Sequence, residues 1–181
     1  MSQGSIAVVD EQNRFLRWTD KAEIHGDRLP HRTVHIFVFD SQGRMVIQQR
    51  HRDKLTYAHY WDMACCGHVE RPDYPAGPDD NLDDVYDDVA RRELQEELGI
   101  ETELELLGHF GPIAGVHYEE MHLYMGTHDG PFTIQVEEVE EVARVTSAQY
   151  DEMVEDPDIK LTDALMFFVQ WLRREKGLFR G

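Results

Sequence analysis

Cysteine is almost absent from this chain: Cys65 and Cys66 are the only two in 181 residues, and they are adjacent. Neighbouring cysteines rarely bond to each other, and a single pair cannot build a disulfide framework. No CxxC-type spacing is present that would mark a zinc ribbon, so both are read as reduced thiols. Lysine is nearly as scarce, with four residues against 36 acidic ones and a formal net charge of −18. Such a surplus repels nucleic acid polymers and anionic membranes. It serves solubility for most of the acids, and a salt-adapted source would also account for it. No apolar run approaches the length of a membrane span, since "HIFVF" is only strand-sized. The opening "MSQGSIAVVD" has neither the basic start nor the long apolar middle of a signal peptide. The expectation is a cytoplasmic protein with no membrane and no nucleic acid polymer as partner. A phosphate ligand would require a divalent cation or a local basic cluster.

What is present argues for one globular domain over residues 1–181. The apolar share is 41%, enough for a core at this length. The one break in composition is "RPDYPAGPDDN" at 71–81, read as an exposed loop. Around it, "IAVVD", the pair "TVHIFVFD" and "RMVIQQR", and "YWDMACCGHV" read as strands. Further strands are expected at "LELLGHF", "EEMHLYMG", "FTIQV" and "VARVT". A helix should run from Leu82 to Leu98 with Gly99 as its C-cap. Two more should follow, one capped by Thr146 or Ser147 and one beginning at Thr162 or Asp163. Strands between helices make a mixed α/β sandwich.

The helix ends in a crowd of like charges: Glu93, Glu96 and Glu97 share an arc of roughly 100°. A solvated acidic face is the ordinary fate of such a run. Here, however, Leu82, Tyr86 and Val89 form an apolar stripe whose next steps are Glu93, Glu96 and Glu97. A stripe that is apolar one turn earlier should face the protein. Carboxylates aimed at one partly buried place repel more strongly as the dielectric falls, unless a cation sits among them. Hard oxygen donors suit Mg²⁺ or Mn²⁺.

The stretch Arg92-Glu93-Leu94-Gln95-Glu96-Glu97-Leu98-Gly99-Ile100 resembles the core of the Nudix box, Arg-Glu-apolar-any-Glu-Glu-any-Gly-apolar, at every fixed position. The front half departs from the box. Counted back from Arg92, its first Glu falls on Asp84, with Asp83 as a neighbour, and its Gly falls on Pro78. "CCGHVE" at 65–70 looks like the usual strand entry, with Gly67 as the Gly and loop 71–81 as an insertion. The stretch from His31 to Glu70 resembles the Nudix branch that contains isopentenyl-diphosphate isomerases and their hydrolase relatives.

This resemblance implies a Nudix-type α/β/α sandwich with a mixed sheet, often homodimeric, and metal-dependent cleavage of a small-molecule diphosphate. The substrate class it implies is a nucleoside diphosphate linked to another moiety, or a similar organic pyrophosphate. Glu93, Glu96 and Glu97, with the Gly67 carbonyl, would hold Mg²⁺ or Mn²⁺, and Arg92 would orient a carboxylate. Arg50 and Lys54 would grip phosphate. The general base would be a box Glu or one of Glu119, Glu120, Glu137, Glu138, Glu140 and Glu141, with Glu120 the choice. Two other readings are carried. One is an isopentenyl-diphosphate isomerase using Cys66 and a Glu, with His25, His31, His68 and Glu119 or Glu120 around a Zn²⁺ or Mn²⁺. The other is a catalytically silent nucleotide-binding module.

Overall fold

The computed structural model describes residues 5–180. The chain opens with strands β1 (Ile6–Val9) and β2 (Phe15–Thr19) and a short helix α1 (Lys21–Asp27). Strands β3 (His31–Phe39), β4 (Met45–Arg50), β5 (Trp61–Met63) and β6 (Cys65–His68) follow, then helix α2 (Leu82–Leu98). The remainder is β7 (Leu104–Phe110), β8 (Glu119–Thr127), β9 (Val139–Val145), α3 (Ser147–Glu155) and α4 (Asp163–Trp171).

β3 is the axis of a mixed sheet. On one edge it pairs in parallel with β8 along its whole length, from His31 opposite Glu119 to Phe39 opposite Thr127. Its other edge is shared. β4 takes Val38 and Phe39, and β6 takes Thr33 to Ile36, both antiparallel. The hairpin expected from "TVHIFVFD" and "RMVIQQR" therefore closes for only two rungs before β4 turns away to pair with β5 and β9. "YWDMACCGHV" is two strands rather than one, because β5 follows β4 while β6 follows β3.

Because side chains alternate along a strand, β3 feeds two cores. Val34, Ile36 and Val38 pack with Val85, Tyr86, Val89, Ala90 and Leu94 of α2. On the other face Phe37 packs with Leu165, Phe168 and Val169 of α4. The result is the expected α/β sandwich, a mixed sheet with helices on both faces. No described helix is long and apolar enough to cross a membrane.

Both ends of α2 matter for what it presents. Gly99 adopts φ 64° as its C-cap and donates to Gln95 O, a left-handed conformation that glycine enters without strain. "FTIQV", expected as a strand, is not one. Thr133 N donates to Leu98 O at 2.8 Å and Gln135 N to Glu97 O at 3.0 Å. The segment satisfies the last carbonyls of the helix instead of joining the sheet. At the front, loop 71–81 is more anchored than its composition suggests. Arg32, fully buried, reaches Asn13 Oδ1 (2.7 Å), Asn13 O (2.6 Å), Tyr74 Oη (3.3 Å), Asp79 Oδ1 (2.7 Å) and Pro78 O. These contacts use every N–H the guanidinium has. Arg32→Met should cost about 3 kcal/mol, since it removes every one of these hydrogen bonds and leaves the buried Tyr74 hydroxyl and the part-buried Asn13 and Pro78 oxygens without their donor. A melting temperature roughly 10 °C lower would register that loss.

Candidate active site

α2 aims Glu93 and Glu97 at the seam between β6 and β4. The two are one helical turn apart on one stripe; both point at Cys65, and Glu93 also lies against Gly67. A Cβ at position 67 would overlap the Glu93 carboxyl, so glycine is what lets the helix approach the strand. Glu97 is buried and accepts from Gln48 Nε2 at 3.0 Å. Ligand atoms of Cys65, Glu93 and Glu97 lie within 4.8 Å of one another. Burial pushes the Glu93 carboxyl up to about 7, against the pull of Arg92 and with repulsion from Glu97 and Glu96 adding to the rise. Burial also raises Glu97, while the Gln48 hydrogen bond holds it back. Two buried carboxylates with so few donors are the arrangement a divalent cation would relieve.

Glu96 does not join them. It sits on the exposed flank and accepts from Arg92 Nη1 at 2.9 Å, an i,i+4 pair. The expected trio is thus a pair. A turn of about 100° per residue carries Glu96 off the stripe that Glu93 and Glu97 share. Arg92 also meets Glu93 Oε1 at 2.8 Å, Asp73 Oδ2 at 3.1 Å and His68 O at 3.4 Å. Asp73 comes from loop 71–81. Asp83 and Asp84, the two candidates for the missing first box carboxylate, are exposed on the first turn of α2, and neither is among these partners. Loop 71–81 supplies a carboxylate to Arg92 from another direction.

A second constellation lies on the opposite face of the sheet, because Cys66 points away from Cys65. Cys66 Sγ is 3.3 Å from His35 Nδ1, and His35 Nε2 is 2.8 Å from Glu119 Oε2. Thr33 Oγ1 donates to the same carboxylate at 3.1 Å. Burial works against a charge on either His35 or Glu119. Their mutual attraction wins, so His35 is raised and Glu119 is held far below the usual carboxylate range. The rings of His25, His31 and His68 gather with centroids 5.1 to 5.9 Å apart. The Nε2 atoms of His31, His68 and His117 are buried without a hydrogen-bond partner. His31 Nδ1 lies 2.8 Å from Leu29 O, which places its proton there and leaves Nε2 as a lone pair. Burial holds all three of those imidazoles toward neutrality, His117 down to about 4. Orphaned neutral nitrogens beside a carboxylate fit a transition-metal ion.

These groups line a cavity of about 740 Å³, with Arg50 and Lys54 also on its wall. Arg50 is 3.4 Å from Asp62 Oδ2, and Lys54 pairs with Glu138. Glu120, expected as the base, is not on that wall. Strand alternation sends Glu119 to the cavity and Glu120 to the other face, where its carboxyl lies against Gly111 and feels Arg32 and Asp10 rather than any box residue. His35, His117 and Asp73 were not singled out from the sequence. The first two had a signal, since His31, Thr33 and His35 alternate along one face and His117 and Glu119 repeat that spacing.

The NUDIX domain profile matches residues 29–165. The chain belongs to the Nudix family. It is 35% identical over 130 residues to an isopentenyl-diphosphate Delta-isomerase of Serratia proteamaculans, covering 69% of this chain and 66% of that one. It is also 35% identical over 137 residues to an uncharacterized Nudix hydrolase of Pseudomonas aeruginosa, with 75% of each chain covered. The crystal structure of DR0079 from Deinococcus radiodurans superposes with TM-score 0.74 at 18% identity, over 92% of this chain and 98% of that one. As a Nudix protein, the chain has the fold of enzymes that act on diphosphates, and relatives of both hydrolase and isomerase name stand close to it.

Proposed function

We propose that this Nudix protein is a metal-dependent hydrolase of a small-molecule diphosphate, either a nucleoside diphosphate linked to another moiety or a related organic pyrophosphate. The observation that carries the reading is the inward-facing Glu93–Glu97 pair, with Glu97 buried and Glu93 pushed up to about 7 by burial despite Arg92 beside it. Glu93 and Glu97 would hold Mg²⁺ or Mn²⁺, with the Gly67 backbone alongside. When bound, such an ion neutralises diphosphate oxygens and makes a bound water more acidic.

The remaining work falls to side chains. Gln48 fixes the Glu97 carboxylate by its amide. Arg92 steers Glu93 while Asp73 and His68 O hold the guanidinium from behind. Arg50 and Lys54 would meet phosphate oxygens at the cavity wall. With Glu120 facing elsewhere, the base is assigned to a box carboxylate.

A second reading is favoured by one specific arrangement, the Cys66–His35–Glu119 chain beside the unpartnered histidine nitrogens. It is an isomerase that moves a proton on an allylic diphosphate, with Cys66 and Glu119 as acid and base. One assay separates the two. Nucleotide sugars, dinucleoside polyphosphates, coenzyme A, NADH and isopentenyl diphosphate are each incubated with Mg²⁺ and Mn²⁺, and phosphate release and isomer content are measured together. Phosphate release from at least one compound is the expected result. Conversion of isopentenyl to dimethylallyl diphosphate without phosphate release would replace the hydrolase by the isomerase. Turnover of none of them would leave a binding module.

A further inference from the structure

A third cluster of metal-ligating side chains lies apart from both constellations, under the first turns of α2. His109 of β7 and His122 of β8 are direct cross-strand partners, so both side chains emerge on the face that α2 covers. Their rings stack with centroids 3.8 Å apart at 18°, and Tyr86 of α2 stacks on the far side of His122 at 3.6 Å. Asp83, one turn before Tyr86, hangs over the same spot. One ligand atom each from Asp83, His109 and His122 lies within 4.8 Å of the others.

The local hydrogen bonds prepare His122 as a donor. Tyr124 Oη gives its proton to Asp87 Oδ1 at 2.7 Å. It can therefore only accept from His122 Nδ1, 3.4 Å away. That chain places the ring proton on Nδ1 and leaves Nε2 unprotonated, the way an outer carboxylate sets the tautomer of a metal-bound histidine. Aromatic stacking alone accounts for the rings but not for the carboxylate above them or the fixed tautomer.

We propose that Asp83, His109 and His122 form a binding site for a zinc-like transition-metal ion, clamping the start of α2 to the β7–β8 ribbon. Two imidazoles and one carboxylate suit Zn²⁺, Co²⁺ or Ni²⁺ and not Mg²⁺. Bonds of about 2.1 Å require donor atoms roughly 3.4 Å apart, so the site closes by a shift of up to about 1.4 Å together with a swing of the His109 ring out of its stack on His122. Asp83 and His109 are exposed and free to make that shift. Solvent would complete the coordination. The site is independent of the hydrolase reading, since Asp83 and Glu93 stand about 15 Å apart along α2, and of the isomerase reading, since strand alternation separates His122 from Glu119.

The test is equilibrium dialysis of metal-stripped full-length protein against Zn²⁺ in a background of Mg²⁺, comparing the parent with His109→Ala, Asp83→Asn and Tyr124→Phe. His109→Ala is expected to bind one equivalent fewer, with unchanged circular dichroism because the residue is exposed. Tyr124→Phe keeps every ligand and should weaken that equivalent by about 10- to 100-fold. Hydrogen exchange gives a second readout, in which Zn²⁺ slows the amides of the first α2 turns in the parent and not in His109→Ala. Equal stoichiometry in the parent and His109→Ala, or zinc protection confined to His25, His31 and His68, would overturn the site.

Discussion

Glu97→Gln is expected to lower diphosphate turnover by about a thousandfold or more, while the protein stays folded. Glutamine has the shape of glutamate and can keep accepting from Gln48 Nε2, so the packing at the end of α2 survives. What it removes is charge. Glu97 is buried beside Glu93 and, unlike Glu93, has no cation of the protein in contact, only the amide of Gln48, so its negative charge has no structural partner to stabilise. Its burial is costly unless the charge is used, which is the mark of a functional group. Glu96→Gln is the control. Glu96 is exposed and engaged with Arg92, and its loss should change turnover by less than about fivefold, in keeping with the modest worth of surface pairs. Steady-state kinetics across a Mg²⁺ titration, with melting curves for each variant, checks both. Full activity in Glu97→Gln alongside loss in Glu96→Gln would reverse the assignment of the metal ligands.

The contrast between these glutamates shows how far the sequence could be read. The apolar stripe through Tyr86 and Val89 points at Glu93 and Glu97, and the helix, its C-cap and its inward acids follow from 3.6-residue periodicity. That the third acid leaves the stripe is also periodicity, but a local motif of three glutamates hides it. Strand alternation likewise decides between Glu119 and Glu120, yet which of two adjacent acids faces the cavity depends on the parallel pairing of β8 with β3, a long-range fact. Asp73 was out of reach for the same reason. Loop 71–81 reads as polar and exposed, and only the buried Arg32, which clasps Pro78 and Asp79, shows that it is held against the body. "FTIQV" has a strand's composition and a capping segment's job, because its amides go to the last carbonyls of α2, a partner that composition does not reveal.

In chelator at pH 8, Glu93→Gln should be more stable than the parent, and in saturating Mg²⁺ the order should invert. The sign follows from linkage. Glu93 titrates at about 7 in the folded protein against 4.5 ordinarily. Between those values the folded state keeps a proton that the unfolded chain has released, so stability falls as pH rises through the window and is lowest above it. The glutamine variant has no such proton to lose. The shift corresponds to roughly 3 kcal/mol. The attraction of Arg92 at 2.8 Å is already part of that balance, so the advantage is about 3 kcal/mol, or several degrees of melting temperature. At pH 5 the two metal-free proteins should melt together. A bound divalent ion supplies the missing positive charge to the parent and has less to hold in the variant, so added Mg²⁺ raises the parent's melting temperature past the variant's. Paired thermal melts at pH 5 and pH 8, with and without Mg²⁺, decide it. A parent more stable than Glu93→Gln in chelator at pH 8 would mean that Arg92 alone neutralises the carboxylate, and that the buried pair requires no metal.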